Sequence, residues 1–186
     1  MKKNLPLILI GGGVLIIVLA IFVVIKSFKS GSTAGTETEE EVVLDLPESQ
    51  WPILTLTPTT DVAIPNSLGH LLKLQVQKIN VPGAKTMDYL LVYNTSSGGQ
   101  QGVPGTIQLS GADINKDLLL GSESSGKFRF DVGVNKGSIT ITFRNSNGKS
   151  MGKLVSDFTF DSPKKGVYSV TMNTFANGTQ TLTSEK

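Results

Sequence analysis

The hydrophobic pattern of this chain changes character between its first 25 residues and the region after residue 50. Residues 5–25 (LPLILIGGGVLIIVLAIFVVI) form an uncharged apolar run. At about 1.5 Å per residue, one helix of this length crosses a hydrocarbon core of roughly 30 Å. The run therefore predicts a single transmembrane helix over residues 5–25 that binds the lipid bilayer.

Charges on either side of the run predict its orientation. Lys2, Lys3 and the free amino group precede it, whereas Lys26 and Lys29 follow it. The positive-inside rule places the more basic flank in the cytoplasm. We expect a single-pass protein of the cell membrane in which residues 1–4 are cytoplasmic and the C-terminal domain is extracytoplasmic.

A cleavable signal peptide is the alternative interpretation of the same run. Signal peptides have an apolar segment of about 7–15 residues with a small-residue cleavage site directly behind it. Here the run is longer, and the first acceptable site, ending at Ala34, lies well beyond it. We favour an uncleaved anchor, and cleavage at Ala34 is kept as the alternative.

Residues 26–50 show neither the apolar run nor a regular alternation. The stretch is small and polar at first and then acidic, with Glu39, Glu40 and Glu41 in a row. This composition is typical of a solvated linker. We interpret residues 26–50 as a flexible acidic tether.

From residue 51 to residue 186, short alternations of apolar and polar positions between turn residues predict an all-β domain. About eight short antiparallel strands in this length predict an immunoglobulin-like β-sandwich, with a closed barrel as the alternative. The clearest strands fall at residues 53–57, before Pro58, and at residues 72–76, 87–94, 103–110, 128–134, 139–143, 154–160, 167–172 and 179–183.

Turn residues predict how three of these strands pair. A turn around Lys136–Gly137 would pair residues 128–134 with residues 139–143 on a common face. A two-residue Asn147–Gly148 turn would then set Ile141 opposite Leu154. Residues 127–160 are therefore predicted to form a three-stranded meander.

Three segments carry a resemblance to known proteins: DYLLVY (88–93), GTIQL (105–109) and LLGSESSGKFRFDVGV (119–134). With the order of anchor, acidic linker and β-domain, the chain resembles a group of uncharacterised, membrane-anchored β-proteins of uncultured bacteria. The resemblance spans nearly the whole chain. It implies a location in the bacterial envelope and carries over no catalytic residue.

Composition excludes several kinds of chemistry. The chain has no cysteine, so disulfides, thiolate metal sites and cysteine nucleophiles are excluded. The formal net charge is +2 and no segment is basic enough to predict a nucleic-acid partner. The single histidine, His70, has no second histidine with which to share a metal or a catalytic triad. We therefore expect no cofactor and no catalysis at His70.

A weak candidate metal site lies between residues 110 and 121, where the alternation breaks and a short helical turn is predicted. Asp113, Asn115 and Asp117 alternate like the first ligands of a calcium loop. However, Leu118 replaces the glycine that such a loop requires, and Ser124 stands where the loop needs a glutamate. A polar turn is the preferred interpretation.

These observations together predict a non-catalytic binding or scaffolding module of the cell envelope, with a protein or glycan partner. One alternative is a hydrolase or transferase that uses carboxylates only, such as Asp131 or Asp157. Such an enzyme needs two acids that converge in a cleft, whereas both residues are predicted on outward strand faces. The other alternative is an accessory module that binds carbohydrate.

The strand at residues 87–94 supplies the candidate binding residues, because it is apolar on both faces. Tyr89, Leu91 and Tyr93 point one way, and Leu90 and Val92 point the other. One hypothesis is that both faces are covered. The other is that the face with Tyr89, Leu91 and Tyr93 is open and binds the partner, since rigid amphipathic rings are enriched at interfaces.

Overall fold

The structure, a computed structural model, describes residues 45–185 of the chain. The predicted cytoplasmic segment, the transmembrane helix over residues 5–25 and most of the tether lie outside the described residues. Among residues 45–185, no helix is long and apolar enough to cross a membrane.

Eleven antiparallel strands and a short 3₁₀ helix, Glu48–Gln50, form the described part of the chain, so the all-β prediction is confirmed. The strands are β1 (Ile53–Thr59), β2 (Leu71–Gln77), β3 (Thr86–Asn94), β4 (Gln100–Gln108), β5 (Ile114–Leu119), β6 (Gly121–Ser124), β7 (Lys127–Phe130), β8 (Lys136–Arg144), β9 (Ser150–Lys164), β10 (Val167–Asn173) and β11 (Thr179–Glu185).

The strands assemble into two main sheets and one small hairpin. One sheet has three strands in the order β1-β2-β5, and the other has six in the order β11-β10-β9-β8-β3-β4. Strands β6 and β7 pair only with each other. Inward side chains of both main sheets meet in one hydrophobic cluster, which includes Leu56, Leu74, Leu91, Ile141 and Phe158.

Alternation predicted the strands β1 and β2 well. Leu72, Leu74 and Val76 of β2 are fully buried, as their spacing indicated. Pro58 does not end β1, which continues to Thr59 with Pro58 opposite Leu72. Since β1 is an edge strand of this sheet, a proline without an N–H group is tolerated there.

The β8–β9 hairpin has the predicted register but a different turn. Ile141 lies opposite Leu154, as predicted. The Asn145 N–H group donates to the carbonyl of Lys149 (3.0 Å), so the loop holds three residues and ends at Gly148, whose φ is 77°. An irregularity between Phe143 and Arg144 then restores the register that a two-residue turn would have given.

Two predicted elements are wrong. Strand β7 pairs with β6 and not with β8, so residues 127–160 do not form a three-stranded meander. The helical turn predicted within residues 110–121 is replaced by β5, which pairs with β2. The buried side chains of Ile114 and Leu118 occupy inward positions of this strand, and the exposed Lys116 between them disguises the alternation.

The folded domain includes residues that precede its predicted start at residue 51. Asp45 forms a parallel bridge to Lys153 of β9, and the Leu46 N–H group donates to the Lys153 carbonyl at 3.1 Å. The Leu46 side chain is 3% exposed and fills the space above Gly152, where an added Cβ would lie 2.5 Å from Leu46 Cδ1. The Trp51 indole N–H group donates to the Leu46 carbonyl at 2.7 Å. The end of the predicted tether is therefore part of the folded domain.

Candidate functional site

The structure places the candidate binding residues of β3 inside the protein. Tyr89, Leu91 and Tyr93 are 7%, 0% and 1% exposed, whereas Leu90 on the opposite face is 42% exposed. Strands β4 and β8 flank β3 and turn the tyrosine face toward the core. Tyr89, Leu91 and Tyr93 therefore do not form an open binding surface, which corrects that hypothesis.

Each buried tyrosine is accommodated by a specific neighbour. The Tyr89 ring lies over its cross-strand partner Gly105, where an added Cβ would lie 2.3 Å from Tyr89 Cζ. The Tyr93 hydroxyl donates a hydrogen bond to Asp131 Oδ2 at 2.8 Å. Burial raises the pKa of Tyr93 strongly, and the Asp131 carboxylate beside it acts in the same direction. The Tyr93 hydroxyl is therefore a fixed neutral donor.

The outward face of the six-stranded sheet carries a cavity of about 510 Å³, which we call the sheet groove. The groove crosses strands β3, β8, β9 and β10, and Val92 of β3 is one of its apolar contacts. Phe158 and Met172 also line it. Amide, carboxylate, ammonium and hydroxyl groups come from Asn94, Gln100, Lys136, Ser138, Asp157, Thr159, Thr171, Asn173 and Thr179.

Several polar side chains of the sheet groove have open hydrogen-bonding capacity. Within residues 45–185, the side chains of Asn94, Gln100, Lys136 and Asp157 form no hydrogen bond or ion pair. Some of the hydroxyl groups are engaged, since Thr171 and Thr181 share a hydrogen bond of 2.7 Å. An amide offers both donors and acceptors, whereas a carboxylate only accepts and an ammonium only donates. The groove therefore presents complementary groups for a polar ligand.

The same outward face behaves differently near Asp88, where the polar groups satisfy one another. Arg144 Nε donates to Asp88 Oδ2 at 2.6 Å, and the Thr106 hydroxyl donates to Asp88 Oδ1 at 2.7 Å. Partial burial raises the pKa of Asp88, but the hydrogen bonds from Arg144 and Thr106 outweigh it and leave the pKa below its ordinary value. This cluster is a structural ion pair, unlike the open groups of the groove.

The weak calcium candidates, one directly before β5 and two within it, do not converge. Alternate residues of a strand are separated by about 7 Å, which spreads Asp113, Asn115 and Asp117 along its outer face. Each meets a different partner: Asp113 Oδ1 accepts from the Lys78 N–H group (3.3 Å), Asn115 Oδ1 accepts from Gln75 Nε2 (2.8 Å), and Asp117 pairs with Lys73 (3.7 Å). Within the described part of the chain, no three acidic or histidine side chains are grouped to hold a metal ion.

His70 lies in a second, smaller cavity of about 260 Å³, which we call the His70 cavity. Two backbone hydrogen bonds assemble it, from the Leu120 N–H group to the His70 carbonyl (2.8 Å) and from the Asp131 N–H group to the Leu120 carbonyl (3.0 Å). The imidazole stacks on Phe130, with ring centroids 4.5 Å apart. Burial lowers the pKa of His70, although the backbone and the charge of Asp131 oppose the shift. The imidazole is therefore mainly neutral at pH 7.

The two acids of the carboxylate-enzyme alternative lie in separate cavities. Asp131 lines the His70 cavity, and Asp157 lines the sheet groove. Sequence reasoning assigned both to outward strand faces, but Asp131 follows β7 in a loop and is half-buried against Tyr93. The pair therefore does not form the converging acid and base that glycoside hydrolysis requires.

Comparisons of this chain with models of protein families, with curated proteins and with solved structures find no match.

Proposed function

We propose that this protein is a non-catalytic binding module of the cell envelope whose ligand-binding surface is the sheet groove. The observation that carries the proposal is the set of open polar side chains there. Asn94, Gln100, Lys136 and Asp157 converge on one cavity and find no partner within residues 45–185. A concave site with a few convergent polar groups is the usual form of a ligand site.

The strand order supports an immunoglobulin-like sandwich as the finer fold. In such domains, strands A, B and E share one sheet, and strands C, F and G share the other with C′ added beside C. The order β1-β2-β5 corresponds to A-B-E, and β4-β3-β8-β9 corresponds to C′-C-F-G. In this correspondence, β6 and β7 form a hairpin between E and F, and β10 and β11 extend the sheet beyond G.

The location belongs to the same proposal. The apolar run at residues 5–25 would anchor the chain as a single-pass membrane protein, and the flanking lysines favour an extracytoplasmic domain. The resemblance to membrane-anchored β-proteins of uncultured bacteria supports an envelope location. A glycan suits the amide and hydroxyl lining of the groove, and an envelope protein is the other class of partner.

A paired substitution on β9 tests the binding surface. Asp157 and Asp161 lie on the same exposed side of this strand, but only Asp157 lines the sheet groove. We expect Asp157→Ala in the full chain to reduce binding to isolated envelope material about tenfold, because it removes a charged acceptor from the site. Asp161→Ala is the matched control and should bind like the unaltered protein.

The readout is co-sedimentation of the full-length protein with envelope fragments, before and after the fragments are treated with protease. Binding that survives protease treatment identifies a glycan, and binding that disappears identifies a protein. Equal binding by Asp157→Ala and the unaltered protein, at equal melting temperature, would contradict the groove as the binding surface.

Protease added to intact cells separately tests the membrane topology, since an extracytoplasmic domain should be removed while the anchor remains.

A further inference from the structure

We propose that the His70 cavity is a second binding site, separate from the sheet groove, and that it receives an organic cation such as an alkylammonium or guanidinium group. The cavity combines a half-buried carboxylate, from Asp131, with aromatic walls from Phe160 and Tyr168. A cation gains from both, because a carboxylate supplies the opposite charge and the face of an aromatic ring attracts positive charge.

The charge of Asp131 has no cationic partner within the described part of the chain. Its carboxylate accepts a hydrogen bond from the neutral Tyr93 hydroxyl at 2.8 Å and forms no ion pair with any lysine or arginine of residues 45–185. His70 does not supply the missing charge at neutral pH, since burial lowers its pKa. A partly desolvated carboxylate without a counter-ion is unfavourable, so a bound cation would relieve this cost.

The aromatic walls are held in place by packing. Tyr168 stacks on Phe160, with ring centroids 5.8 Å apart and ring planes at 24°. The backbone of Gly69 lies directly against Tyr168, where an added Cβ would be 2.4 Å from the ring atoms Cε1 and Cζ. The rings therefore occupy fixed positions before any ligand arrives, which reduces the ordering cost of binding.

The size and accessibility of the cavity set the class of ligand. At about 260 Å³, it lies below the roughly 300–1,000 Å³ of sites that hold drug-sized molecules. Its lining includes three exposed residues, Gly133, Ser162 and Val132, the last of which is 64% exposed. The space suits a single cationic head group, supplied either by a lysine or arginine side chain of a partner or by a small free amine.

The test is a titration of the full-length protein in detergent micelles, followed by fluorine NMR of incorporated fluorotyrosine. The chain has three tyrosines, of which Tyr168 lines the cavity, Tyr93 contacts Asp131, and Tyr89 lies over Gly105. n-Butylammonium should shift the Tyr168 resonance in a saturable manner, whereas the uncharged isostere n-butanol should bind at least about tenfold more weakly. Equal affinities for the two probes would overturn the proposal.

One variant and one control test whether the carboxylate of Asp131 binds the cation. Asp131→Asn keeps an acceptor for the Tyr93 hydroxyl but removes the negative charge, so the affinity for n-butylammonium should fall about tenfold. Glu48→Gln removes an exposed carboxylate that lines neither cavity, so it is the matched control and should leave this affinity unchanged. An unchanged affinity in a folded Asp131→Asn protein would overturn the proposal.

If Asp131→Asn does not fold, a substitution of the aromatic residue Tyr168, which lines the cavity, provides the test. Tyr168→Leu keeps the carboxylate and an apolar wall but loses the ring, so the affinity, now followed at Tyr93, should fall severalfold. An unchanged affinity would contradict the aromatic contribution.

Capped lysine, N-acetyl-lysine methylamide, distinguishes the sources of the cation. Binding at least as tight as that of n-butylammonium indicates a side chain of a partner, and much weaker binding indicates a small free amine.

Discussion

The two faces of the six-stranded sheet differ in almost every respect, although the same strands form both. On the inner face, Leu91, Ile141 and Phe143 are fully buried and the space is filled by side chains. On the outer face, Leu90 and Val155 are 42% and 48% exposed, and both lie opposite Thr140 of β8. The inner face therefore determines stability, and the outer face is free to determine binding.

Strand β3 shows that the difference between the inner and outer faces depends on how the strands pair in the sheet and not on the sequence of one strand. Its two faces are both apolar, so its own pattern does not distinguish them. Its neighbour β8 does, because Ile139, Ile141 and Phe143 alternate with threonine, serine and arginine. Pairing with β8 turns Tyr89, Leu91 and Tyr93 inward. An ambiguous strand takes its orientation from a neighbour whose alternation is clear.

The largest difference between the two faces is expected for leucine truncation. Leu46→Ala should lower the free energy of unfolding by about 2–5 kcal/mol, because it opens a cavity over Gly152 in the core. Leu90→Ala on the outer face should cost about 1 kcal/mol at most. Urea denaturation of both full-length variants measures this, and similar losses would contradict the assignment of Leu46 to the inner face.

Removal of a tyrosine hydroxyl tests which interactions stabilise the inner face. Tyr93→Phe should cost about 1.5–3 kcal/mol, because it removes a hydrogen bond to a charged, half-buried carboxylate. Tyr89→Phe is the matched control, since the Tyr89 hydroxyl has no hydrogen bond within residues 45–185, and it should cost about 1 kcal/mol at most. Equal midpoints for the two variants in urea would mean that the bond to Asp131 adds nothing.

The smallest effect is expected on the outer face, at the ion pair between Asp88 and Arg144. Asp88→Asn should cost up to about 1 kcal/mol at pH 7, since the pair is partly exposed. Because the pKa of Asp88 is lowered on folding, its contribution is complete above the ordinary pKa of 3.8 and is lost as the pH falls through the lower folded value.

Thermal melts at pH 7 and at low pH measure this contribution. The difference in melting temperature between Asp88→Asn and the unaltered protein should shrink on acidification. Asp157→Asn is a control on the same face without an ion pair and should melt like the unaltered protein at both values. A difference for Asp88→Asn that grows in acid would contradict the sign of the pKa shift.

Local pattern was sufficient to predict much of the fold. The alternation of Leu72, Leu74 and Val76 predicted β2, and the predicted pairing of Ile141 with Leu154 is correct although the turn between their strands is not the predicted one. Strand β5 was missed because Lys116 occupies an inward position between Ile114 and Leu118. The partner of β7 was missed because the short β6, with no buried residue, gives almost no hydrophobic signal.

The cavities were less predictable, because each draws on segments that are distant in the chain. The His70 cavity joins the start of β2, the loop after β7 and strands β9 and β10. Its Asp131–Tyr93 hydrogen bond spans 38 positions. For the sheet groove, alternation did place Asp157 outward, but the meeting of Asp157 with Asn94 and Gln100 depends on the order of the strands. No local spacing encodes that order.

Lys116 on the edge strand β5 has a consequence for self-association. An edge strand has unpaired backbone groups along one side and can recruit a strand from another molecule. By alternation, the Lys116 side chain belongs on the inner side of the sheet, opposite Leu74, yet it remains exposed at the rim. A strand that docked along β5 would have to strip water from this ammonium group. The β5 edge of the three-stranded sheet is thereby protected against the addition of further copies, even where many chains are crowded together.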